Sequence, residues 1–409
     1  MTKSGHSAWD ASLRIIRTLR GAGHLALLAG GCVRDQLLGR TPKDFDVVTN
    51  ATPRRVAELF PRARLVGAKF GVVIVRSLGH DVEVATFRRD GTYRDGRHPD
   101  DVAFGTEEED AQRRDFTING LFLDPQSKNI IDHVGGCEDL KNQTLRTIGE
   151  ADRRFAEDHL RMLRAVRFAA RLGFHIEPST WEAICRQAVH LQEISAERVW
   201  MELALILADP SRAFAWGLMV KSGLRRYLSL HWPVGTKDEE LIQRRVAALP
   251  AEPIKPELGL ASLLADESPG LVETIGRELR LSNQSNDGVV WLVQSLPIVQ
   301  RVADLELADF KGLMSGPCWE DLLALLRADL VARERTLEAF ETASKRAKAI
   351  PRERIAPPPL VTGDDLVAMG VSPGPNMGEI LRRLYREQLN EKFTDRGAAL
   401  IRAREEIPA

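Results

Sequence analysis

The pattern of apolar and polar positions changes along the chain near Gly149. Before it, short runs of alternating or continuous apolar residues are typical of β-strands. They predict strands at 25–28, 45–48, 72–75, 82–87, 120–123 and 130–131. Helical spacing predicts helices at 9–19, 33–38 and 53–60. The N-terminal part is therefore predicted to combine a small mixed sheet with helices.

After Gly149 the spacing is almost entirely helical. It predicts helices at 153–172, 179–187, 197–208 and 212–224, followed by further helices and almost no strand. Proline and glycine interrupt the pattern at 231–237 and at 350–360. These breaks predict an α+β chain with four segments, 1–148, 149–230, 231–350 and 351–409.

Composition narrows the class of protein only slightly. The 409 residues are 44% hydrophobic, and 57 Lys and Arg balance 58 Asp and Glu, so net charge neither indicates nor excludes a nucleic-acid partner. Four scattered cysteines without a CxxC pair favour a reduced, cytoplasmic protein. With neither a signal peptide nor an apolar run of about 20 residues, we expect no membrane segment.

Three carboxylates form the first candidate site. Asp44 and Asp46 flank Phe45 at the start of a predicted strand, where strand alternation would send both carboxylates to one face. Paired carboxylates with phosphate oxygens suit Mg²⁺. Glu83, in an alternating strand, is a candidate third acid. Solvated surface acids are the alternative interpretation.

A second group of residues suits phosphate and ribose binding. Gly30 and Gly31 follow an apolar run and open a predicted helix, with Arg34 one turn inside it. A plain tight turn is the alternative. Further along, three side chains between a predicted helix and strand could form hydrogen bonds to ribose hydroxyls and to a phosphate. A surface charge cluster is the alternative. The three side chains are Arg114, Asp115 and Asn119.

A third group suits recognition of a base. Asp158 and Arg161 are three residues apart in the predicted helix 153–172, so they should share one face. An acceptor beside donors would match the amino group and ring nitrogen of cytosine and adenine. Arg164 and Arg167 continue the spacing and suit triphosphate or RNA phosphates. The alternatives are an intrahelical salt bridge to Arg161 and a solvated basic face.

Two further segments are candidates for a moving part and for RNA contact. The stretch 88–109, with Tyr93 and Arg97, is rich in Asp and Gly and is predicted to be a mobile lid. Basic residues near the second proline break could contact RNA phosphates or form a solvated linker face. They are Lys345, Arg346, Lys348, Arg352 and Arg354.

The motifs together resemble one family over nearly the whole chain, the class II tRNA nucleotidyltransferases, whose superfamily includes bacterial poly(A) polymerases. The segments 28–35 and 43–46 resemble its metal-binding motif, and 113–119 resembles its ribose-recognition motif. The segment 132–140 resembles its hinge, 157–161 its amino-acid template for incoming bases, and 195–199 the motif that braces the template helix. The segments 362–366 and 373–375 resemble its C-terminal region.

The resemblance implies a function and roles for these residues. Asp44 and Asp46 would hold Mg²⁺ with help from Glu83, and two metal ions would support template-independent addition of CCA to the 3′ end of tRNA from CTP and ATP. The implied nucleotide contacts are Gly31, Arg34, Arg114, Asp158, Arg161, Arg164 and Arg167. The implied architecture is a seahorse-like head, neck, body and tail over the four segments, with no protein partner. Because no His follows His231, a C-terminal metal-dependent phosphohydrolase domain is not expected.

Three other functions stay open. Poly(A) polymerases of the Gram-negative type carry a Gly-Arg-Arg-Phe stretch after the Asp pair, whereas this chain reads Gly-Ala-Lys-Phe at 67–70, which favours tRNA as substrate. The complete stretch 90–97 disfavours an enzyme that adds only cytidines but not one that adds only adenosine. A catalytically silent RNA-binding protein is a remote third alternative, because fold does not fix function.

Overall fold

The computed structural model describes residues 7–65, 71–90, 102–233 and 239–407. The chain divides into two compact units. The first comprises Met1–Glu202 with Gly217–Leu228, and the second comprises Leu203–Trp216 with Ser229–Ala409. Among the described residues, none of the helices combines the length and apolar character that crossing a membrane requires.

The strands of the described residues all lie in the first unit. They are β1 (Ala26–Ala29), β2 (Asp46–Thr49), β3 (Val72–Ser77), β4 (His80–Thr86), β5 (Arg88–Asp90), β6 (Val102–Phe104), β7 (Leu121–Leu123), β8 (Ile130–Asp132), β9 (Thr144–Leu145) and β10 (His175–Ile176).

The helices follow the predicted change of pattern. Up to Ser222 they are α1 (Ala8–Gly21), α2 (Gly31–Leu37), α3 (Pro53–Leu59), α4 (Glu107–Gln112), α5 (Gly136–Lys141), α6 (Ala151–Glu157), α7 (Leu160–Leu172), α8 (Pro178–Gln187), α9 (Ala196–Ala208) and α10 (Arg212–Ser222). Beyond it they are α11 (Glu239–Ala248), α12 (Pro256–Leu263), α13 (Pro269–Glu278), α14 (Asn283–Val299), α15 (Leu307–Met314), α16 (Trp319–Ala332), α17 (Glu338–Ala349), α18 (Gly363–Ala368), α19 (Pro375–Leu389) and α20 (Arg396–Glu406). Short 3-10 helices lie at Thr117–Asn119, Ala188–Glu193, Leu224–Tyr227, Val302–Asp304 and Arg352–Arg354.

A six-stranded sheet forms the core of the first unit, in the order β3-β4-β2-β1-β7-β8. The pair β2 and β4 is parallel and the other neighbouring pairs are antiparallel, so the sheet is mixed. Every residue of the central strand β1 is buried, which explains its continuous apolar sequence. The predicted α+β class is therefore confirmed.

The sheet register brings separated segments of sequence together. Ala29 pairs with Asp46, so the glycine turn that follows β1 lies beside the start of β2. Val47 pairs with Val84 in the parallel pair, so Asp46, at the start of β2, lies beside Glu83, in the middle of β4. The sequence alone does not contain this pairing.

Two predictions about local structure are wrong. The predicted continuous helix 153–172 is two helices, because the chain leaves helical geometry at Asp158, where φ is −157° and ψ is 101°. The predicted lid is not a plain loop in its described part, since β5 pairs antiparallel with β6 and Thr106 caps α4. Tyr93 and Arg97 lie outside the described residues.

The second unit is helical and contains buried ion pairs. Arg245, fully buried, donates to Asp329 at 2.8 Å and to Asp266 at 2.6 Å, so its charge is neutralised inside the helix cluster. Arg346, one of the basic residues considered for RNA contact, donates to the carbonyls of Val302 and Leu305. Its role in this unit is therefore structural.

Candidate active site

A glycine turn connects β1 to α2. Gly30 has φ 72° and ψ −129°, and its N–H donates to the Leu121 carbonyl at 2.9 Å. A Cβ atom at this position would lie 2.9 Å from Nη1 of Arg114. The positive φ therefore favours glycine here, and an added Cβ would also displace the Arg114 guanidinium.

The candidate carboxylates lie at the edge of the sheet next to this turn. The strand begins at Asp46, and Asp44 lies in the irregular segment before it, so strand alternation does not orient both carboxylates as predicted. Phe45 is half-buried rather than in the core, and its ring packs edge-on against Trp9 at 5.4 Å between centroids.

The electrostatics of Asp46 fit a divalent cation. Although Asp46 retains contact with solvent, surrounding protein and the nearby charges of Glu83 and Asp44 raise its pKa to about 6, against an opposing effect of Arg114. In the part of the chain that the structure describes, these acids do not bring three ligand oxygens within 4.8 Å of one another. A hard cation bound by oxygen ligands would offset the mutual repulsion of these carboxylates.

Asp110 fixes the two arginines beside the turn. It is completely buried and accepts from Arg113 at 2.6 Å and from Arg114 at 3.0 Å. Burial alone would raise the pKa of Asp110, but these guanidinium groups hold it below its usual value. Arg114 also donates to the Asn119 carbonyl at 3.2 Å. Our sequence reasoning missed Asp110, although its spacing of three and four residues from the arginines indicates these pairs.

Asp115 and Asn119 link the head sheet to α7. Asp115 accepts from Arg164 at 2.8 Å and from the Asn119 side chain at 3.1 Å, and Asn119 accepts from Arg34 at 2.7 Å. Burial opposes ionisation of Asp115, but Arg164 and Asn119 lower its pKa to about 2. The Arg34 guanidinium also pairs with Asp35. These side chains therefore form one connected network in which each charge has a partner.

The arginines of α7 are held by carboxylates on neighbouring elements. Glu202 accepts from Arg164 at 3.3 Å and from Arg167 at 2.6 Å. Arg161 pairs with Glu157 at 2.7 Å, which is the salt bridge considered as the alternative interpretation. The alternative of a solvated basic face therefore does not hold, because each arginine has an acidic partner, whereas the phosphate contacts of Arg164 and Arg167 stay a prediction.

Asp158 occupies the break between α6 and α7. Its carboxylate accepts from the Leu160 N–H at 3.1 Å and from Arg198 at 2.7 Å. Asp158 and Arg161 therefore do not share the face of one continuous helix, contrary to the sequence prediction. Arg198 lies in the segment 195–199, whose bracing role the resemblance implied, and the observed contact agrees with that role.

One cavity of about 450 Å³ collects most of the candidate residues. Its walls are formed by Gly30, Gly31, Arg34, Asp46, Arg113, Arg114, Asp115, Asn119, Asp158, Arg161, Arg164 and Phe168. The walls do not include Asp44, Glu83 or Arg167. The first two act on Asp46 through their charge, whereas the guanidinium of Arg167 lies 4.4 Å from the Phe168 ring centroid.

Sequence reasoning missed several residues that shape this cavity. Phe168 is a wall residue, and the guanidiniums of Arg34 and Arg164 lie 5.2 and 5.4 Å from its ring centroid. Glu202 is four residues beyond Arg198 on α9, and this helical spacing, next to a motif already recognised, was the available signal. Phe168 is four residues beyond Arg164 on α7, a spacing that indicates their contact, whereas no local signal linked Glu202 to the arginines.

Comparison with known proteins identifies related chains over the same elements. Residues 26–146 match the family model for the poly A polymerase head domain, and residues 173–232 match the model for a probable RNA- and SrmB-binding site of polymerase A. The CCA-adding enzyme of Geobacillus kaustophilus is 39% identical over 297 residues, which are 68% of this chain and 73% of the relative.

Two further relatives cover different shares of the chain. Poly(A) polymerase I of Escherichia coli is 46% identical over 209 residues, 48% of this chain and 45% of that enzyme. The crystal structure of the Bacillus stearothermophilus CCA-adding enzyme in complex with CTP has a TM-score of 0.81 at 30% identity and covers 98% of both chains. The family-model match, the 39% identical relative and the structural match over 98% of the chain show that this chain is an RNA nucleotidyltransferase and belongs to the class II tRNA nucleotidyltransferase and bacterial poly(A) polymerase family.

Proposed function

We propose that the chain adds cytidine, cytidine and adenosine to the 3′ end of tRNA, using CTP and ATP and no nucleic-acid template. The observation that carries the proposal is the single cavity in which the Gly30 turn, Asp46 and the pair Asp158 and Arg161 share one wall. A nucleotide needs these three elements together: a phosphate cradle, a metal-binding acid and a base reader. The full-length structural relative, solved with CTP, supports a cytidine nucleotide as substrate.

The metal dependence of this family agrees with the acids at the cavity, and we propose Mg²⁺ as the ion. Asp44 and Asp46 would hold two ions, with Glu83 as the assisting acid. Bound Mg²⁺ would supply Lewis-acid stabilisation of the attacking 3′-hydroxyl and of the pyrophosphate leaving group. Oxygen ligands with clustered negative charge fit this hard cation better than a transition metal.

The chain's own residues would bind and orient the triphosphate and sugar. The backbone of Gly30 and Gly31 allows close approach of phosphate, and Arg34 and Arg114 supply positive charge at the same wall. Asp115 and Asn119 already have partners, so their proposed contribution is to hold Arg34 and Arg164 in place for the nucleotide. Fixed donors of this kind reduce the entropic cost of binding.

Base selection would rest on Asp158 and Arg161. Cytosine and adenine each offer an amino donor beside a ring-nitrogen acceptor, which an aspartate and an arginine complement. Arg198 fixes the carboxylate of Asp158 and Glu157 fixes the guanidinium of Arg161, so both groups are oriented before a nucleotide binds. Uracil and guanine present the opposite pattern and would leave both groups without partners.

A poly(A) polymerase is the second candidate function, favoured by the 46% identity to the E. coli enzyme over 209 residues.

The test supplies CTP and ATP, separately and together, to three RNAs: tRNA lacking CCA, tRNA ending in CC, and an unrelated RNA. Products are resolved to one nucleotide. Addition of C, C and A to the first tRNA, of a single A to the second, and of nothing to the unrelated RNA supports the proposal. Long adenosine tails on any RNA indicate a poly(A) polymerase, and a single A only after CC indicates an A-adding enzyme.

The metal assignment has its own test. Asp46→Ala should abolish nucleotide addition while tRNA binding, measured by filter retention, stays within about twofold of wild type. The lost ligand affects phosphoryl chemistry, whereas most of the RNA surface is untouched. Retained turnover in Asp46→Ala would exclude this carboxylate as a metal ligand.

A further inference from the structure

A cluster of two histidines and a glutamate lies in the first unit and has no part in the chemistry proposed above. His159 sits at the break between α6 and α7, and His190 and Glu193 belong to the 3-10 helix Ala188–Glu193. One ligand atom from each of the three residues lies within 4.8 Å of the others. Among the described residues this is the one group of three such side chains with that spacing.

The carboxylate of Glu193 lies against both imidazoles. Its Oε1 is 2.6 Å from Nδ1 of His190, and its Oε2 is 3.6 Å from Nε2 of His159. The two rings are stacked, with centroids 4.9 Å apart and planes inclined by 14°. Two protonated rings in this arrangement would repel each other, and a single carboxylate would offset only one of the charges.

A salt bridge does not account for the burial of His159. It is 8% exposed, and within the described residues its buried Nδ1 has no hydrogen-bond partner. Its Nε2 is too far from Glu193 for a hydrogen bond. Burial lowers the pKa of His159 despite the opposing charge of Glu193, which favours the neutral ring. A neutral imidazole is the form that binds a metal.

We propose that His159, His190 and Glu193 form a Zn²⁺ site that fastens the chain break before α7 to the 3-10 helix Ala188–Glu193. Two imidazoles and one carboxylate, with a fourth position left to water, are a known tetrahedral ligand set for zinc. Imidazole ligands disfavour Mg²⁺, which separates this site from the acids at the sheet edge. Coordination would require the His190 ring, whose side chain is 45% exposed, to turn out of the stack so that a nitrogen lone pair of each ring points at the ion.

The position of the site gives zinc a defined effect. His159 directly follows Asp158, whose carboxylate lines the nucleotide cavity and is held by Arg198. Zinc would add a second fixed point to this junction, which otherwise depends on that ion pair and on the Leu160 cap. We therefore expect Zn²⁺ to stabilise the first unit without replacing Mg²⁺ in nucleotide addition.

Binding is tested on the full chain after removal of metals with a chelator. Zn²⁺ is titrated calorimetrically in excess Mg²⁺ into wild type, His190→Ala and Glu193→Gln. His175→Ala and Glu182→Gln are the matched controls, since both side chains are exposed and lie outside the cluster. Wild type and both controls should bind one Zn²⁺ per chain, and the two cluster variants should bind about tenfold or more weakly.

Two further measurements test the same site by thermal unfolding and by spectroscopy. A saturating excess of Zn²⁺ of about 100 times its Kd should raise the Tm of wild type by about 5 °C, and that of Glu193→Gln by much less. X-ray absorption at the zinc edge of the wild-type complex should show two imidazoles among its ligands. Absence of zinc binding in wild type, equal affinity in all five proteins, or a zinc ligand shell without imidazole would overturn the proposal.

Discussion

The charge of Asp46 should lower the stability of the metal-free protein, and Asp46→Asn should raise it. The pKa of Asp46 is raised from 3.8 to about 6, chiefly by burial and then by Glu83. A difference of about two pKa units corresponds to about 3 kcal/mol. Because the carboxylate retains contact with solvent, we halve this value to about 1.5 kcal/mol for screening.

The direction in which stability changes with pH depends on whether the folded or the unfolded chain binds the Asp46 proton more tightly. The folded chain holds the Asp46 proton more tightly than the unfolded chain, so stability decreases as pH rises from about 4 to about 6. Asparagine carries no charge and does not show this loss. The stability gain of Asp46→Asn should therefore be small near pH 4, grow through pH 6 and stay constant above it, while nucleotide addition is lost at every pH.

Thermal unfolding in EDTA between pH 4.5 and 8 tests this prediction, together with hydrogen exchange of the amides of β1 and β2, which report on the first unit. At pH 7.5 the expected rise in Tm is about 3 to 6 °C. Asp287→Asn, at an exposed position of α14, is the control and should change Tm little. Mg²⁺ at ten times its Kd should stabilise wild type by about 1.4 kcal/mol, but not Asp46→Asn. A gain independent of pH, or a loss of stability at pH 7.5, would refute the electrostatic explanation.

Three further perturbations test other parts of the site. Asp158→Ala or Arg161→Ala should admit UTP or GTP, measured as single-nucleotide incorporation with each of the four triphosphates, and unchanged selectivity would contradict the assigned base-reading role. Glu202→Gln should raise the KM for CTP about tenfold with a smaller change in kcat, because a neutral amide holds Arg164 and Arg167 less strongly. An unchanged KM would show that these arginines do not contact the nucleotide. Gly30→Ala should lower kcat/KM at least tenfold by displacing Arg114. Its control is Gly39→Ala, which has a similar φ of 69° but open space around the added methyl, and equal losses in both variants would mean that backbone strain alone is responsible.

The strands were predictable because their signal is local. The apolar runs at β1, β3 and β4 are long enough, and alternate clearly enough, to indicate strands from the sequence alone. The order of the sheet was not predictable, since β2 lies between β1 and β4 through pairings that no single segment encodes. For the same reason Glu83 could be proposed to face the Asp pair from a neighbouring strand, but the register that places it beside Asp46 could not be derived.

The break at Asp158 escaped prediction for a different physical reason. Neither glycine nor proline marks it, and the apolar spacing continues in register from α6 into α7. The bonds from the Leu160 N–H and from Arg198 stabilise the break, and the second of these comes from 40 residues further along the chain. Local propensity favours a continuous helix here, and these tertiary contacts override it.

The acidic partners of the α7 arginines could not be predicted from local sequence either. These partners change what the arginines can do. The sequence shows their charge and spacing but not the carboxylates of Glu157, Asp115 and Glu202 that hold them. A guanidinium already fixed by an acid adds little net attraction for phosphate, yet it has lost its rotameric freedom before the nucleotide arrives. Such a group is better suited to discriminating between ligands by hydrogen-bond direction than to collecting negative charge. We therefore expect the selection of cytidine and adenosine nucleotides to depend on Glu157 and Glu202 as much as on the arginines that they orient.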